Sequence, residues 1–526
     1  MDVNKHRNTG KGEPEFPQGN GAPGRSRYEA VLSSPITRRL LQSWTERNGN
    51  GTCALENIFR TYANPEANFA ERLRYFLPHR MIDLFASFNK ADKETLRHRV
   101  LGHRPTARTL INTARSIGTY GLTKPQRFAA PIIVVWNITQ ACNLACRHCY
   151  QDASRRLPDE LTQQEQLDII DQLSENYVGM LAFAGGEPLI SREFWETCRY
   201  AVQRHLHVTV ATNGTLLTEA NVTRLREIGV KIIEISLDST RPEKHNAFRG
   251  KGMWEKTVQG IRNAIAQSDG RNYRVSVAST ITRMNFAELE DLIRFSADLG
   301  AHTFNAFNFI PTGRGRKIME DDLTPREREE MLEILTRHMN EDRITVLSTA
   351  PQMGRVCLES GMGETARITI GHGGSARGKE VQLYTEYIGG CGTGRCYCAI
   401  QPNGLVTPCV FMPKVVGDLR RQKFMEIWKN SESFLALCDR NDRTDHCQVC
   451  TYKFKCGGCR ARAFNYTGDF RAGDPGCIYN LKQWEELVQE SQEHPPEIVE
   501  PLAAPSGKAG PGPGPFSRQG AEPTTY

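Results

Sequence analysis

The segment Ala141 to Tyr150 reads ACNLACRHCY and sets Cys142, Cys146 and Cys149 at C-x3-C-x2-C spacing. Three thiolates can hold a metal centre on one side and leave a coordination position open. A structural zinc site would want a fourth ligand; His148 could supply one, but it sits directly beside Cys149, where the geometry is strained. An iron–sulfur cluster fits better. [4Fe–4S] clusters are normally held by four thiolates, so three leave one iron accessible to a ligand.

Other short motifs could complete a site around that iron. In GGEP, Gly185 to Pro188, the glycines allow backbone to approach a ligand closely, and Glu187 can pair with an ammonium. SLDS holds Ser236 and Asp238, and HNAFRG holds Arg249, whose guanidinium fork suits a carboxylate. A second set of cysteines follows. The stretch CGTGRCYCAIQPNGLVTPC contains Cys391, Cys396, Cys398 and Cys409, with Asn403-Gly404 signalling a type I′ hairpin turn. Pairing Pro402 with Leu405 places Cys398 opposite Cys409 across the strands. Next comes C-x2-C-x5-C-x2-C at Cys447, Cys450, Cys456 and Cys459, then Cys477 in GDPGC. A zinc ribbon separates its knuckles by roughly a dozen or more residues, and five is short. Cys53, Cys198, Cys357 and Cys438 have no partner at metal spacing and read as small buried residues.

The elements that must position these residues are legible from periodicity. Short β-branched runs at 131–136, 180–184, 207–212, 231–237, 273–280 and 302–309 alternate with amphipathic helical stretches. This predicts an α/β fold, a partial (β/α)6 TIM-type barrel at about 129–330 whose chemistry sits at the C-terminal ends of parallel strands. The three-cysteine loop follows the first strand at that edge. A linking segment, 331–388, contains one more helix and the strand RITVLS; residues 389–490 are read as a separate cysteine-rich module stapled by metal more than by an apolar core.

Between 28 and 128 the pattern is helical. Phe69, Leu73, Phe76, Leu77, Met81, Leu84, Phe85 and Phe88 recur at three- and four-residue spacing, with Pro78 expected to split two helices. The plain reading is a helical domain packed on its neighbour through this stripe. Arg72, Arg74, His79 and Arg80 between the apolar residues give a second reading, a membrane-surface or partner-binding face. Residues 1–27 and 491–526 are polar, Pro- and Gly-containing tails, expected to be disordered.

A net charge of +7 over 67 basic and 60 acidic residues, with no Lys/Arg run interleaved with aromatics, gives no indication of nucleic-acid binding. No apolar run reaches the roughly 18 residues that span a bilayer. The opening MDVNKHRNTGKGEPEF lacks the apolar core of a signal peptide, so a reducing cytoplasm is expected and the 16 cysteines are read as thiols.

The cysteine loop, with aromatic Tyr150 after its last cysteine, and the motifs at successive strand ends resemble the radical S-adenosylmethionine (SAM) superfamily over roughly residues 131–490. The resemblance implies a [4Fe–4S] cluster on Cys142, Cys146 and Cys149 whose open iron binds SAM. It implies reductive cleavage of SAM to a 5′-deoxyadenosyl radical that abstracts a substrate hydrogen. It further implies that Gly185, Gly186, Glu187 and Pro188 hold the methionine amino group, Ser236 and Asp238 lie near the ribose and methionyl part, Arg249 pairs with the SAM carboxylate, and Ile310 in FIPTGRG contacts adenine. Thr212, Asn213 and Gly214 match a family turn with a structural role.

The second cysteine set resembles the SPASM extension of these enzymes, implying one or two auxiliary [4Fe–4S] clusters. One would rest on Cys391, Cys398 or Cys396, Cys409 and Cys459, the other on Cys447, Cys450, Cys456 and Cys477. The last spacing is two residues where the motif usually has three, and Val410 stands where the sulfatase-maturing branch has a carboxylate. An oxidoreductase is implied, with an electron donor such as flavodoxin or ferredoxin. The motif blocks resemble most the haem d1 and alternative haem biosynthesis branch, whose members act on tetrapyrrole propionate side chains. Peptide maturation, C–H activation of a lipid, and a non-catalytic zinc-binding scaffold are the other readings.

Overall fold

The computed structural model describes residues 27–493 except 50, 65, 89–91, 340–342, 361–366, 371–373 and 378–385. The expected tails therefore lie almost wholly outside the described residues. The N-terminal region is helical: α1 (Arg27–Leu32), α2 (Pro35–Thr45), α3 (Ala54–Ala63), α4 (Phe69–Arg74), α5 (Phe76–Phe88), α6 (Lys93–Thr95) running into a π turn at Leu96–Leu101, and α7 (Arg104–Tyr120). The break between α4 and α5 falls at Tyr75, not at Pro78. Pro78 sits in the first turn of α5, where a missing N–H costs nothing because that donor would have no intrahelical partner.

Seven parallel strands follow, in chain order across the sheet: β1 (Ile133–Asn137), β2 (Met180–Ala184), β3 (His207–Thr212), β4 (Ile232–Ser236), β5 (Arg274–Ile281), β6 (Thr303–Asn308) and β7 (Thr345–Ser348). Each connection is a crossover helix, as parallel neighbours require. The first of these helices, α8 (Gln163–Glu175), starts where Thr162 and Glu165 close a capping box. Apolar side chains from the outer face of the strands and the inner faces of the helices form one continuous core, from Val134 and Leu181 through Ile233 to Phe304 and Val346. The six expected strands are all present with their bounds to within two residues, and β7, expected as the strand RITVLS of the linking segment, joins the same sheet.

The sheet does not stop at β1. After a two-stranded antiparallel pair, β8 (Arg367–Ile370) and β9 (Gly374–Arg377), the chain returns as β10 (Tyr397–Ile400), which lies parallel against the outer edge of β1 with Val134 beside Cys398. Strands β11 (Leu405–Thr407) and β12 (Gly417–Asp418) continue antiparallel. The cysteine-rich module, read from sequence as separate, is thus continuous with the barrel sheet.

The N-terminal helices cover the opposite end of the barrel from the strand C-termini. Asn112 of α7 donates to the Ala130 carbonyl (2.9 Å) and accepts from the Ala130 N–H (3.2 Å), just before β1. Arg115 donates to the Asn176 carbonyl (3.1 Å) ahead of β2, and Arg108 donates to the Ser174 carbonyl at the end of α8. The helical region packs on its neighbour as expected, but through these contacts and not through the described residues of the apolar stripe. Phe69, Leu73, Phe76, Leu77, Met81 and Leu84 do not pack on a neighbour; they are 51–81% exposed. The side chains of Phe85 and Phe88 lie outside the described residues.

Candidate active site

The C-terminal ends of the parallel strands open into a cavity of about 390 Å³. Cys142, Cys146, Cys149 and Tyr150 from the loop after β1 line it, with Gly185, Gly186, Ser236, Arg249 and Ile310 from the later strand ends. The cysteine loop is clamped from two sides. A Cβ on Gly186 would lie 2.0 Å from the Ala141 carbonyl oxygen, and one on Gly313, at φ +55°, would lie 2.5 Å from that of Tyr150. The close approach that the GGEP glycine permits is therefore to the cysteine loop itself. Arg314, which sequence reasoning did not single out, fastens the same loop by donating to the carbonyls of Cys146 (3.0 Å) and Ala153 (2.9 Å) and pairing with Asp152 (2.8 Å). Its signal was the GRG that follows β6.

Asp238 and Arg249 form a buried pair, Nε to Oδ2 2.6 Å. Burial alone would raise the Asp238 carboxyl, but Arg249 and His148 hold it well below the ordinary range. Arg249 also reaches Cys146 Sγ (3.9 Å) and His148 Nε2 (3.2 Å), so a fixed cation faces the cysteine loop. Burial pushes His148 down to about 4, which leaves it neutral at ordinary pH. Asp238 does not line the cavity; it orients the guanidinium that does. Glu187 is wholly buried as well. Its carboxylate accepts from Thr212 Oγ1 (2.8 Å), the Asn213 N–H (2.9 Å) and the Leu189 N–H (3.2 Å), tying GGEP to the end of β3. Burial nonetheless pushes it up to about 7 against those donors. Pro188 begins the short 3-10 turn Pro188–Ile190. Tyr150 donates its hydroxyl to Asn137 Oδ1 (3.0 Å) and meets Phe411 edge-on.

The second cysteine set divides differently from the expected pairing. Ala399 faces Thr407 and Ile400 faces Val406, so Tyr397, not Cys398, is in register with Cys409. The turn is a three-residue loop, with Gly404 at φ +85° and Asn403 not at positive φ, where a type I′ turn needs both. A one-residue slip moves every side chain to the other face. Cys398 accordingly sits in the apolar core beneath the helices, whereas Cys396 lines the cavity with Cys391, Cys409 and Cys459. Cys447, Cys450, Cys456 and Cys477 lie apart from this cavity; burial raises the thiols of Cys450, Cys456 and Cys477, and a neighbouring cysteine, Cys447 for the first two and Cys456 for the third, adds to the rise.

The donors around these sulfurs suit thiolates bound to an iron–sulfur core. Backbone N–H groups point at Cys142 (3.4 Å), Cys149 (3.5 Å), Cys409 (3.5 Å), Cys447 (3.4 Å), Cys456 (3.4 Å) and Cys459 (3.4 Å). Burial pushes the thiols of Cys142, Cys409 and Cys456 up to about 12, so without a metal they would be neutral. Yet buried guanidiniums surround the second set. Arg395 donates to the Gln126 carbonyl (3.0 Å), Arg440 to that of Cys391 (2.7 Å), Arg443 to that of Leu437 (3.0 Å), and Arg460 to that of Ala472 (2.7 Å) and to Cys447 Sγ (3.7 Å). Carbonyl dipoles do not neutralise buried cations, whose desolvation costs several kcal/mol each. Anionic thiolate-ligated clusters would.

The three-cysteine loop at the mouth of a parallel barrel suits an enzyme that holds an iron–sulfur cluster there. Residues 136–296 match the radical SAM superfamily, and residues 391–452 match SPASM, an iron–sulfur cluster-binding domain. The chain is 34% identical over 353 residues to the AdoMet-dependent heme synthase of Methanosarcina barkeri (strain Fusaro / DSM 804), covering 66% of this chain and 97% of that protein. It is 31% identical over 355 residues to the mycofactocin maturase MftC of Mycobacterium tuberculosis (strain ATCC 25618 / H37Rv), covering 66% and 83%. Among solved structures, Streptococcus suis SuiB bound to S-adenosylmethionine shares the fold, with TM-score 0.57 and 15% identity over 81% of this chain and 92% of that one. The chain belongs to the radical SAM superfamily and carries a SPASM domain. It is a radical SAM enzyme that uses SAM and [4Fe–4S] clusters, and the zinc-scaffold reading falls.

Proposed function

We propose that this enzyme removes carbon dioxide from a propionate side chain of a tetrapyrrole, leaving a vinyl group. The observation that carries this reading is the shared cavity: the three-cysteine loop and the set Cys391, Cys396, Cys409 and Cys459 face one space whose walls are mostly apolar, including Val135, Ala182, Phe307, Phe309 and Met353. A flat apolar macrocycle suits such walls. The 34% identity to a heme synthase along nearly its whole length supports the same substrate class. The lipid reading loses its motivation, because the exposed stripe belongs to the helices at the other end of the barrel.

In this reading Cys142, Cys146 and Cys149 hold the SAM cluster. Cys391, Cys396, Cys409 and Cys459 hold one auxiliary cluster, and Cys447, Cys450, Cys456 and Cys477 hold a second. When bound, SAM and its cluster supply a radical able to take a hydrogen atom, and the auxiliary clusters supply a sink for one electron. The chain's own groups orient the reactants. Arg249, fixed by Asp238, offers a guanidinium to a carboxylate, and Gly185 and Gly186 expose backbone beside it. The overall change balances: the carboxylate side chain gives up one hydrogen atom and one electron and becomes a vinyl group and carbon dioxide. A flavodoxin or ferredoxin in a reducing cytoplasm is the matching electron source.

The test is anaerobic turnover of the reconstituted enzyme with SAM, a reductant and a propionate-bearing iron tetrapyrrole. The expected result is 5′-deoxyadenosine and carbon dioxide in equal amounts with a vinyl product. The 31% identity to a peptide maturase supports a second reading, modification of a peptide. Turnover stimulated by a peptide and indifferent to the tetrapyrrole would establish it and overturn the first.

A further inference from the structure

The outer faces of α4 and α5 carry six apolar side chains, Phe69, Leu73, Phe76, Leu77, Met81 and Leu84, each more than half exposed. The inner faces already account for how these helices are held. Tyr75 and Ile82 pack on the cluster of Cys53, Leu55 and Ile58, and His79 Nε2 lies 3.1 Å from both Thr61 Oγ1 and the Ile58 carbonyl. The outer stripe is therefore surplus to the fold, and a contiguous apolar face of this size marks an interaction surface.

Charge is sorted across the same helices. The acids are engaged: Glu71 pairs with Arg60 (3.3 Å), and Asp83 accepts from the Tyr62 hydroxyl (2.9 Å) and meets Lys93 (3.5 Å). The exposed cations Arg74 and Arg80 lie over the rings of Tyr75 (5.6 Å) and Phe76 (5.4 Å), beside the apolar stripe. Such a face fits an apolar surface rimmed with negative charge.

Two other occupants fit less well. The chain's own ends cannot match it, since residues 1–26 hold only Met1, Val3 and Phe16 as large apolar residues and residues 494–526 are interrupted by prolines. A second copy in two-fold pairing would set two faces bearing the same exposed cations, Arg74 and Arg80, against each other. Among the described residues no helix is long and apolar enough to cross a membrane. We propose that α4 and α5 dock this protein on the surface of an anionic lipid bilayer, with the six apolar side chains entering the acyl boundary and the arginines meeting headgroup phosphates. The cavity opens at the far end of the barrel, so docking fixes the enzyme's place without drawing substrate from the lipid.

Co-sedimentation of the full chain with vesicles tests this, using phosphatidylcholine alone and phosphatidylcholine mixed with phosphatidylglycerol. The expected result is binding to the mixed vesicles that weakens with salt. Leu77→Glu with Met81→Glu should lower the partition coefficient at least about tenfold. Arg74→Glu with Arg80→Glu should remove the preference for phosphatidylglycerol. Both variants should keep wild-type circular dichroism and SAM cleavage, because neither touches the cavity. Failure of the wild-type chain to sediment with either vesicle would overturn the proposal, as would unchanged binding by folded variants. So would light scattering that shows a dimer dissociated by the apolar variant.

Discussion

Cys396 and Cys398 are two residues apart and have opposite surroundings, one on the cavity wall and the other inside the core. Replacing each by alanine separates the roles. Cys396→Ala should lose about four irons per chain, one cluster's worth, by iron and sulfide analysis. Cys398→Ala should keep its iron and cost only about 1 kcal/mol of stability. Equal iron in both variants would refute the assignment.

Glu187 makes a prediction about pH. Burial raises its carboxyl to about 7, so across the window from its ordinary value of 4.5 up to 7 the folded state holds a proton that the unfolded chain has released. Stability from this group is intact below that window and falls as pH rises through it, by roughly 3 kcal/mol in all. Anaerobic urea denaturation across the window should show the fall, and Glu187→Gln should flatten it. A wild-type profile no steeper than the variant's would count against a buried protonated carboxyl.

At the scale of elements, the strand ends act on the cysteine loop more than on open space. GGEP and PTGRG each press a glycine against its backbone, and Arg314 ties it from a third side. Gly186→Ala would put a methyl group 2.0 Å from the Ala141 oxygen, so the loop must shift. SAM cleavage should fall by about a hundredfold or more, the usual cost of a displacement near 1 Å, while the auxiliary clusters keep their electron paramagnetic resonance signals. Loss of both signals together would mean general unfolding instead.

The strands and the three-cysteine loop were legible because short apolar runs such as MLAFA and HVTVAT alternate with amphipathic stretches long enough to be crossover helices, and thiol spacing is local. The register of the second hairpin was not. Asn403-Gly404 suits a two-residue turn and a three-residue loop equally well, and the choice rests on the parallel partner β1, some 260 residues away. The apolar stripe failed for a related reason: helical spacing shows that one face is apolar, but not whether anything covers it. The buried arginines were invisible because arginine in a sequence reads as surface until its neighbours are known.

At the scale of the whole molecule, function is divided between the two ends of one barrel. Helices close the N-terminal ends of the strands through Asn112, Arg108 and Arg115, and the cavity opens at the C-terminal ends. Between them, a sheet of ten strands runs unbroken from β12 to β7, so both cysteine sets hang from one hydrogen-bonded frame.

That continuity has a consequence during synthesis. The outer edge of β1 leaves the ribosome early, and its partner β10 follows only after the rest of the barrel has been made. Until then β1 is a bare, apolar strand edge, the kind that recruits other chains. A chain ending before Gly389 should therefore be recovered largely as aggregate, whereas the full chain stays in solution, as size-exclusion chromatography of matched expressions would show. A soluble, monomeric fragment would mean that the edge is protected some other way. The nascent protein is thus exposed for about half of its translation, and chaperone dependence should fall sharply once β10 has emerged.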